Sequence, residues 1–149
     1  MADKWKETAL CVIDMQNDFI LEDGLMRVDG GKAIVPNVIK AVEIARQGGV
    51  FVVWGVPEHD PLGRDRQLFC RHLYKDAELV DGLLMKESDN KLVKARFSAF
   101  FFWYNHRCSN SKLHSQTVLD AVALNYQNVS VVVDATAAAT PDIHVVIYS

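Results

Sequence analysis

The chain has few cysteines, no long apolar run and no excess of basic charge. Its three cysteines, Cys11, Cys70 and Cys108, are an odd number and widely spaced, which argues against a disulfide framework and favours a reducing compartment. The longest aromatic-apolar run, Ala99 to Tyr104, is too short to cross a bilayer. The first seven residues lack the apolar core of a signal peptide. We therefore expect a cytoplasmic protein with no membrane partner.

Charge is nearly balanced, with 16 Lys and Arg against 19 Asp and Glu and a net charge of −3. A nucleic-acid or anionic-membrane partner would need a basic face, so neither is expected. Half of the 149 residues are apolar and 23% are charged, which is typical of a globular protein. The length suits one domain, and we predict a single domain over residues 1–149.

Strand and helix patterns alternate along the chain, which predicts an α/β fold with a mainly parallel sheet flanked by helices. The apolar run Ala9–Ile13 changes sharply to polar at Asp14, as a strand buried on both faces does. A helix is expected from Pro36 to Gln47, ended by two glycines, and a strand at Val50–Trp54. Val38, Ala41, Val42 and Ala45 recur at helical spacing and predict the inner face of this helix. Further along we expect short strands at Leu83–Met85 and Lys91–Lys94, a helix at about Ser115–Tyr126 and a buried strand at Val129–Val133.

The spacing within the last predicted helix places Val118, Ala121 and Val122 on its inner face, which Leu119 and Ala123 widen. Asn125 suits a left-handed backbone conformation near the end of this helix.

Asp14 stands at the predicted carboxyl end of the first strand, where open α/β sheets place their ligand sites. A buried carboxylate is costly without a partner, so Asp14 either caps the following loop through an Asx-type hydrogen bond or takes part in catalysis. Spacing alone leaves both open. A nucleotide-binding module would need a glycine-rich loop here, and the residues after the strand, Asp-Met-Gln-Asn, supply none.

Four segments, in order, resemble the isochorismatase-like cysteine hydrolases, and their residues are most similar to those of plant members. They are Asp14–Phe19, Pro57–Asp60, Lys94–Phe100 and Asp120–Thr140. This superfamily includes isochorismatases, nicotinamidases, N-carbamoylsarcosine amidohydrolases and ureidoacrylate amidohydrolases. The resemblance implies a Rossmann-like, isochorismatase-like fold and a hydrolase acting on an amide-like or related small molecule.

By this resemblance Asp14 is the general base and Lys94 is the catalytic lysine that supports a nucleophilic cysteine. A carboxylate accepts the proton of the thiol, a nearby ammonium favours the thiolate, and the thiolate attacks a carbonyl carbon. Backbone amides at a helix start then hold the developing oxyanion. Phe19 and Phe100 would bind substrate by lining the pocket, although core packing explains them too.

The resemblance breaks at the nucleophile. In relatives the cysteine begins a helix, four residues before a Thr-x-x-Asp-Ala motif, and follows a valine-rich strand. Counting back from Thr117 gives Leu113, and the stretch Phe101–Ser115 lacks such a strand. Cys108 is the nearest thiol, and a free loop cysteine is favoured over a displaced nucleophile. We predict a chain that lacks one strand and its C-terminal end, and that is either a poor hydrolase or an inactive pseudoenzyme serving only to bind a ligand or a partner subunit.

We expect no metal and no other cofactor. Nicotinamidases of this superfamily hold a metal through an Asp-x-His pair and further histidines, whereas Glu58, His59 and Asp60 are consecutive here and in an extended chain would point to opposite sides. His72 and His114 have no partner at metal-ligand spacing. This disfavours a nicotinamidase.

Two structural consequences are expected. Asp14 and Lys94 should converge at the carboxyl ends of neighbouring strands. A sheet that loses an internal strand exposes backbone groups and apolar faces, so the chain should be less stable than a full-length relative or should form homo-oligomers.

Overall fold

A computed structural model describes residues 5, 7–24, 26–57, 78–94 and 113–137, with only the backbone described for Lys94 and residues 113–116. Three strands form one parallel sheet in the order β1-β2-β3. The elements in chain order are β1 (Ala9–Ile13), α1 (Asn17–Ile20), α2 (Gly31–Gln47), β2 (Phe51–Pro57), β3 (Asn90–Lys94), α3 (Leu113–Ala123) and a 3-10 turn at Val133–Ala135. The predicted α/β class with a parallel sheet and helices is confirmed.

The β1-α2-β2 unit forms the centre of the described core. Val12 of β1 lies in register with Trp54 of β2, and both side chains are buried. The predicted inner face of α2 is confirmed at Val38, Val42 and Ala45, which are buried in the same apolar cluster, whereas Ala41 is only partly buried. Full burial of one large apolar side chain stabilises a fold by about 1.5–3 kcal/mol, so this cluster is the main source of stability in the described part of the chain.

The predicted start of α2 at Pro36 is wrong, because the helix begins at Gly31. Gly30 has φ 77°, and this left-handed conformation turns the chain into the helix. Pro36 lies within the helix, on its exposed side, where the missing amide removes one backbone hydrogen bond. The predicted end holds: Gln47 is the last helical residue, and Gly48 and Gly49 follow it.

The strand predicted at Val50–Trp54 exists but extends further, over Phe51–Pro57. Its second half is paired with β3, so that Gly55 lies in register with Leu92 and Pro57 with Lys94. This pairing maintains an extended backbone beyond the apolar run on which the prediction depended.

Helix α3 begins and ends two to three residues earlier than predicted, and its buried face is narrower. Thr117 and Ala121, one turn apart, are the buried positions, whereas Val122 and Leu119 are 58% and 62% exposed. The assignment of Val122 and Leu119 to an inner face was therefore wrong. The left-handed residue is confirmed, because Asn125 has φ 64° and the Tyr126 amide donates to the Ala121 carbonyl at 3.1 Å.

The strand predicted at Val129–Val133 is not present among the described residues. The four valines of this segment are exposed, and it ends in the 3-10 turn. The side-chain amide of Asn37 on α2 donates to the Asp134 carbonyl at 2.6 Å, which holds that turn against the helix. β-Branched composition alone does not form a strand when no described strand pairs with it. Leu83–Met85 is likewise not a strand.

One charged cluster joins α2, β2 and the loop before β3. The Asp89 carboxylate accepts hydrogen bonds from the Arg46 guanidinium, from the Trp54 indole N–H at 3.0 Å and from the Lys86 amide at 3.0 Å. Arg46 also donates to the Leu84 carbonyl at 2.7 Å. The cluster therefore fixes the loop that leads into β3.

Across the described ranges, no helix combines the length and the apolar character that crossing a membrane requires.

Candidate active site

Asp14 lies directly after β1, at the carboxyl end of the sheet, as predicted. Its residue is only 6% exposed, and its amide donates to the Gly55 carbonyl at 3.1 Å. Its φ of 59° is in the left-handed region, which Asp tolerates better than most non-glycine residues. The backbone thus turns sharply at the residue that carries the carboxylate, and such strain is most often found at functional sites.

The loop after Asp14 is held by a segment that the sequence analysis missed. The Asn17 amide donates to the Glu78 carbonyl at 2.9 Å, and the Val80 amide donates to the Met15 carbonyl at 3.0 Å. An antiparallel bridge joins Gln16 to Leu79 between these two bonds. The only sequence signal for this pairing was the apolar pair Leu79-Val80, which is too short to identify a strand by periodicity.

A small cavity of about 40 Å³ lies beside Asp14. By volume it has room for about three water-sized groups. Apart from Asp14 and Thr136 its lining is apolar; it consists of Ile13, Met15, Phe19, Ile20, Val28, Gly31, Ile34, Ala135 and Ala137. Phe19 is 7% exposed and belongs to the core cluster as well as to this lining, so its role in core packing is confirmed and its role in substrate binding stays a prediction.

Lys94 ends β3, at the same edge of the sheet as Asp14. The two are not on neighbouring strands, because β2 lies between β1 and β3, so the predicted adjacency is wrong. The convergence of the two charged side chains stays a prediction. Strands are spaced about 4.8 Å apart, which places the two backbones about 10 Å from each other. The lysine side chain must bridge most of this distance if it is to reach the carboxylate. The catalytic roles of Asp14 and Lys94 stay predictions.

The structure does not describe the side chains of the other predicted site residues. Phe100, Cys108, Glu58, His59, Asp60 and His72 lie outside the described residues. His114 lies in the first turn of α3, where only the backbone is described. Within the described ranges no three His, Cys, Asp or Glu residues are grouped so as to hold a metal ion.

Leu113 is the first residue of α3, four positions before Thr117. The first amides of a helix have no partner within the helix and can stabilise negative charge. Leu113, the first residue that the structure describes in α3, therefore stands at the position where the sequence analysis located the nucleophile.

Cys11 is the cysteine that the structure describes. It lies in the middle of β1, two residues before the strand ends. Although the residue as a whole is exposed, neighbouring atoms displace water from the sulfur, and this burial raises the pKa of the Cys11 thiol. A raised pKa reduces the thiolate fraction, which disfavours Cys11 as a substitute nucleophile.

Comparison with known proteins connects this geometry to a family. The family model described as the isochorismatase domain matches residues 8–113. Over 179 residues the chain is 50% identical to a protein of Arabidopsis thaliana named probable inactive nicotinamidase, with 97% of this chain and 87% of that protein covered. The crystal structure of an isochorismatase family protein from Desulfovibrio vulgaris superimposes with a TM-score of 0.79 at 30% identity, covering 95% of this chain and 87% of that one.

A more distant relative is the ureidoacrylate amidohydrolase of Klebsiella pneumoniae, which is 30% identical over 125 residues. That match covers 64% of this chain and 53% of that protein.

The length of the Arabidopsis alignment is itself informative. It spans 179 positions, whereas this chain has 149 residues, so at least 30 positions, the difference between the two, are filled only in the relative. This chain therefore lacks a counterpart for at least that number of residues in its relative.

Proposed function

Because this chain belongs to the isochorismatase-like hydrolase family, we propose that it keeps the ligand site at Asp14 and has lost efficient hydrolysis of amide-like small molecules. The observation that carries this proposal is Leu113 at the start of α3. In this family a cysteine thiolate at that position forms the covalent intermediate. A leucine side chain has no group that can attack a carbonyl carbon.

The remaining groups do not replace the thiol. Asp14 accepts a proton and Lys94 supplies positive charge, but both act by activating a nucleophile that α3 does not carry at its start. Removing the nucleophile of a comparable covalent hydrolase lowers turnover on the order of a millionfold. The name of the Arabidopsis relative, a probable inactive nicotinamidase, supports the same conclusion.

Binding is a separate matter from turnover. A carboxylate is an acceptor for the N–H groups of a primary amide, and Asp14 presents one in largely apolar surroundings where such a hydrogen bond is strengthened. The cavity of about 40 Å³ suits the head of an amide and leaves the rest of the ligand outside it. We propose a small primary amide or a carbamoyl compound as the ligand class.

The test combines a turnover assay with a binding assay on the purified full chain. Ammonia release is measured with nicotinamide, N-carbamoyl compounds and ureidoacrylate, and isochorismate cleavage is measured in parallel. Binding of nicotinamide is measured by calorimetry for the wild type, for Asp14→Asn and for Asp29→Asn, whose carboxylate is exposed and is not part of the cavity lining.

We expect no turnover above background, binding by the wild type and by Asp29→Asn, and at least tenfold weaker binding by Asp14→Asn, since one hydrogen bond to a charged group contributes about 1.5–3 kcal/mol. Turnover at an ordinary enzymatic rate of about 1–1,000 per second would contradict the proposed loss of hydrolysis. Equal binding by all three proteins would contradict the proposed ligand site.

A further inference from the structure

Exposed apolar side chains are concentrated between Leu119 and Val133. We call this set the C-terminal apolar surface; its members are 36–62% exposed and are Leu119, Val122, Leu124, Tyr126, Val129, Val131, Val132 and Val133. Single exposed apolar residues are normal on protein surfaces, but a series of eight along 15 residues is typical of an interaction site.

The backbone of this surface also needs a partner. Within the described ranges, the amides and carbonyls of residues 128–131 form no hydrogen bond with another part of the chain. Val132 has φ −83° and ψ 94°, an extended conformation, and the segment is rich in β-branched residues. An extended apolar segment with unbonded backbone groups is a template on which another strand pairs.

We propose that a second copy of this chain covers the C-terminal apolar surface, with Val129–Val133 of the two copies paired antiparallel about a two-fold axis. Such an interface is self-complementary, because each copy offers the same apolar side chains and the same backbone groups of residues 128–131, which form no hydrogen bond with another described residue. This inference is independent of catalysis and of the ligand at Asp14.

The charge distribution favours a second copy in this orientation. No charged residue lies between Tyr126 and Asp134, so two copies meet without like charges at the centre of the interface. If the pairing is centred on Val131, antiparallel strands place Asp134 of each copy beside Asn128 of the other. The side-chain amide of Asn128 can then donate a hydrogen bond to the carboxylate of Asp134. Parallel strands would place the two Asp134 carboxylates together.

The available area suits a reversible dimer. A fully exposed valine or leucine side chain presents on the order of 100 Å² of apolar surface, so eight half-exposed side chains offer about 400 Å² in each copy. Two copies then bury about 800 Å² through side chains, with backbone pairing in addition, which is at the low end for specific interfaces. We therefore expect dissociation in the micromolar range.

The first measurement uses the unmodified chain. Its mass is followed by analytical ultracentrifugation from about 1 to 200 µM, and hydrogen exchange is measured at both ends of this range. We expect a monomer–dimer equilibrium, together with amides of residues 129–132 that exchange at least tenfold more slowly at the higher concentration. A monomer throughout, or equal exchange of these amides at both concentrations, would overturn the proposal.

Variants then locate the interface. Val131→Lys and Val131→Glu each place like charges at the two-fold axis, and we expect about 100-fold weaker dimerisation for each. A mixture of the two should dimerise again, which a misfolded variant would not do. The control is Leu84→Lys, since Leu84 is 75% exposed and lies outside this surface, and it should dimerise like the wild type. Dimerisation by Val131→Lys equal to that of Leu84→Lys would refute the proposed surface.

Discussion

Replacement of Asp89 by alanine is expected to be among the most destabilising changes in the described part of the chain. The Asp89 side chain is 3% exposed and that of its partner Arg46 is 20% exposed, so water reaches this ion pair poorly. Trp54, which donates its indole N–H to the same carboxylate, is 0% exposed. Removing the carboxylate leaves a partly buried guanidinium and a fully buried N–H without their acceptor.

The magnitude follows from these burials. Breaking a fully buried ion pair by removing one partner costs about 3–5 kcal/mol, and the residual exposure of Arg46 lowers this range. We expect a loss of about 3 kcal/mol in the free energy of unfolding, which for a chain of this length lowers the Tm by about 6–12 °C. Asp89→Asn keeps an oxygen for Trp54 and Lys86 and should cost about half as much.

The assay is chemical and thermal unfolding followed by circular dichroism, with Asp29→Ala as the matched control. Asp29 also pairs with an arginine, Arg27, but the two side chains are 61% and 51% exposed. Pairs of this kind contribute about 0–1 kcal/mol, so the control should unfold like the wild type. A double-mutant cycle with Arg46→Met should give a coupling energy above about 1 kcal/mol. If Asp89→Ala and Asp29→Ala have the same Tm and the same free energy of unfolding, the reasoning is refuted.

Three further predictions concern stability. Burial opposes ionisation of Asp89, but hydrogen bonds from Arg46, Lys86 and Trp54 and the charge of Arg46 outweigh it and lower the Asp89 pKa from 3.8 to about 2. Its stabilisation, about 1–2 kcal/mol, is therefore present above pH 4 and is lost as the pH falls towards 2, and acid titrations of unfolding should show this loss in the wild type but not in Asp89→Asn. Gly24→Ala should destabilise by about 2 kcal/mol in urea unfolding, because a Cβ there would overlap the Asp18 carbonyl oxygen; a variant with wild-type stability would contradict that contact. Asn125→Ala should lower the free energy of unfolding by about 1 kcal/mol in thermal melts, because alanine tolerates φ 64° less well than asparagine does. An unchanged Tm would count against a left-handed backbone conformation at Asn125.

The parallel β-helix-β unit was predictable because burial leaves a periodic signal. Ala9–Ile13 has its predicted bounds, and the α2 residues Val38, Val42 and Ala45 are buried as their spacing predicted. Asp14 was predictable for the same reason, since an abrupt polar residue after a buried strand marks the carboxyl edge of the sheet.

Features that depend on distant pairing were not predictable. The apolar β-branched composition of Val129–Val133 predicts a strand, but a strand forms only against a partner, and none of the described strands pairs with it. The bonds of Glu78 and Val80 to the loop after Asp14 involve main-chain atoms, which leave no pattern in side-chain identity. The separation of Asp14 from Lys94 by β2 depends on strand order, which local periodicity does not encode.

The central claim is that this member of the isochorismatase-like family does not turn over amides because a leucine begins α3. The most direct test measures ammonia release from the amide panel by the wild type and by Cys108→Ser at the same enzyme concentration. We predict background rates for both proteins. Robust release by the wild type that Cys108→Ser abolishes would contradict the claim and identify Cys108 as the nucleophile.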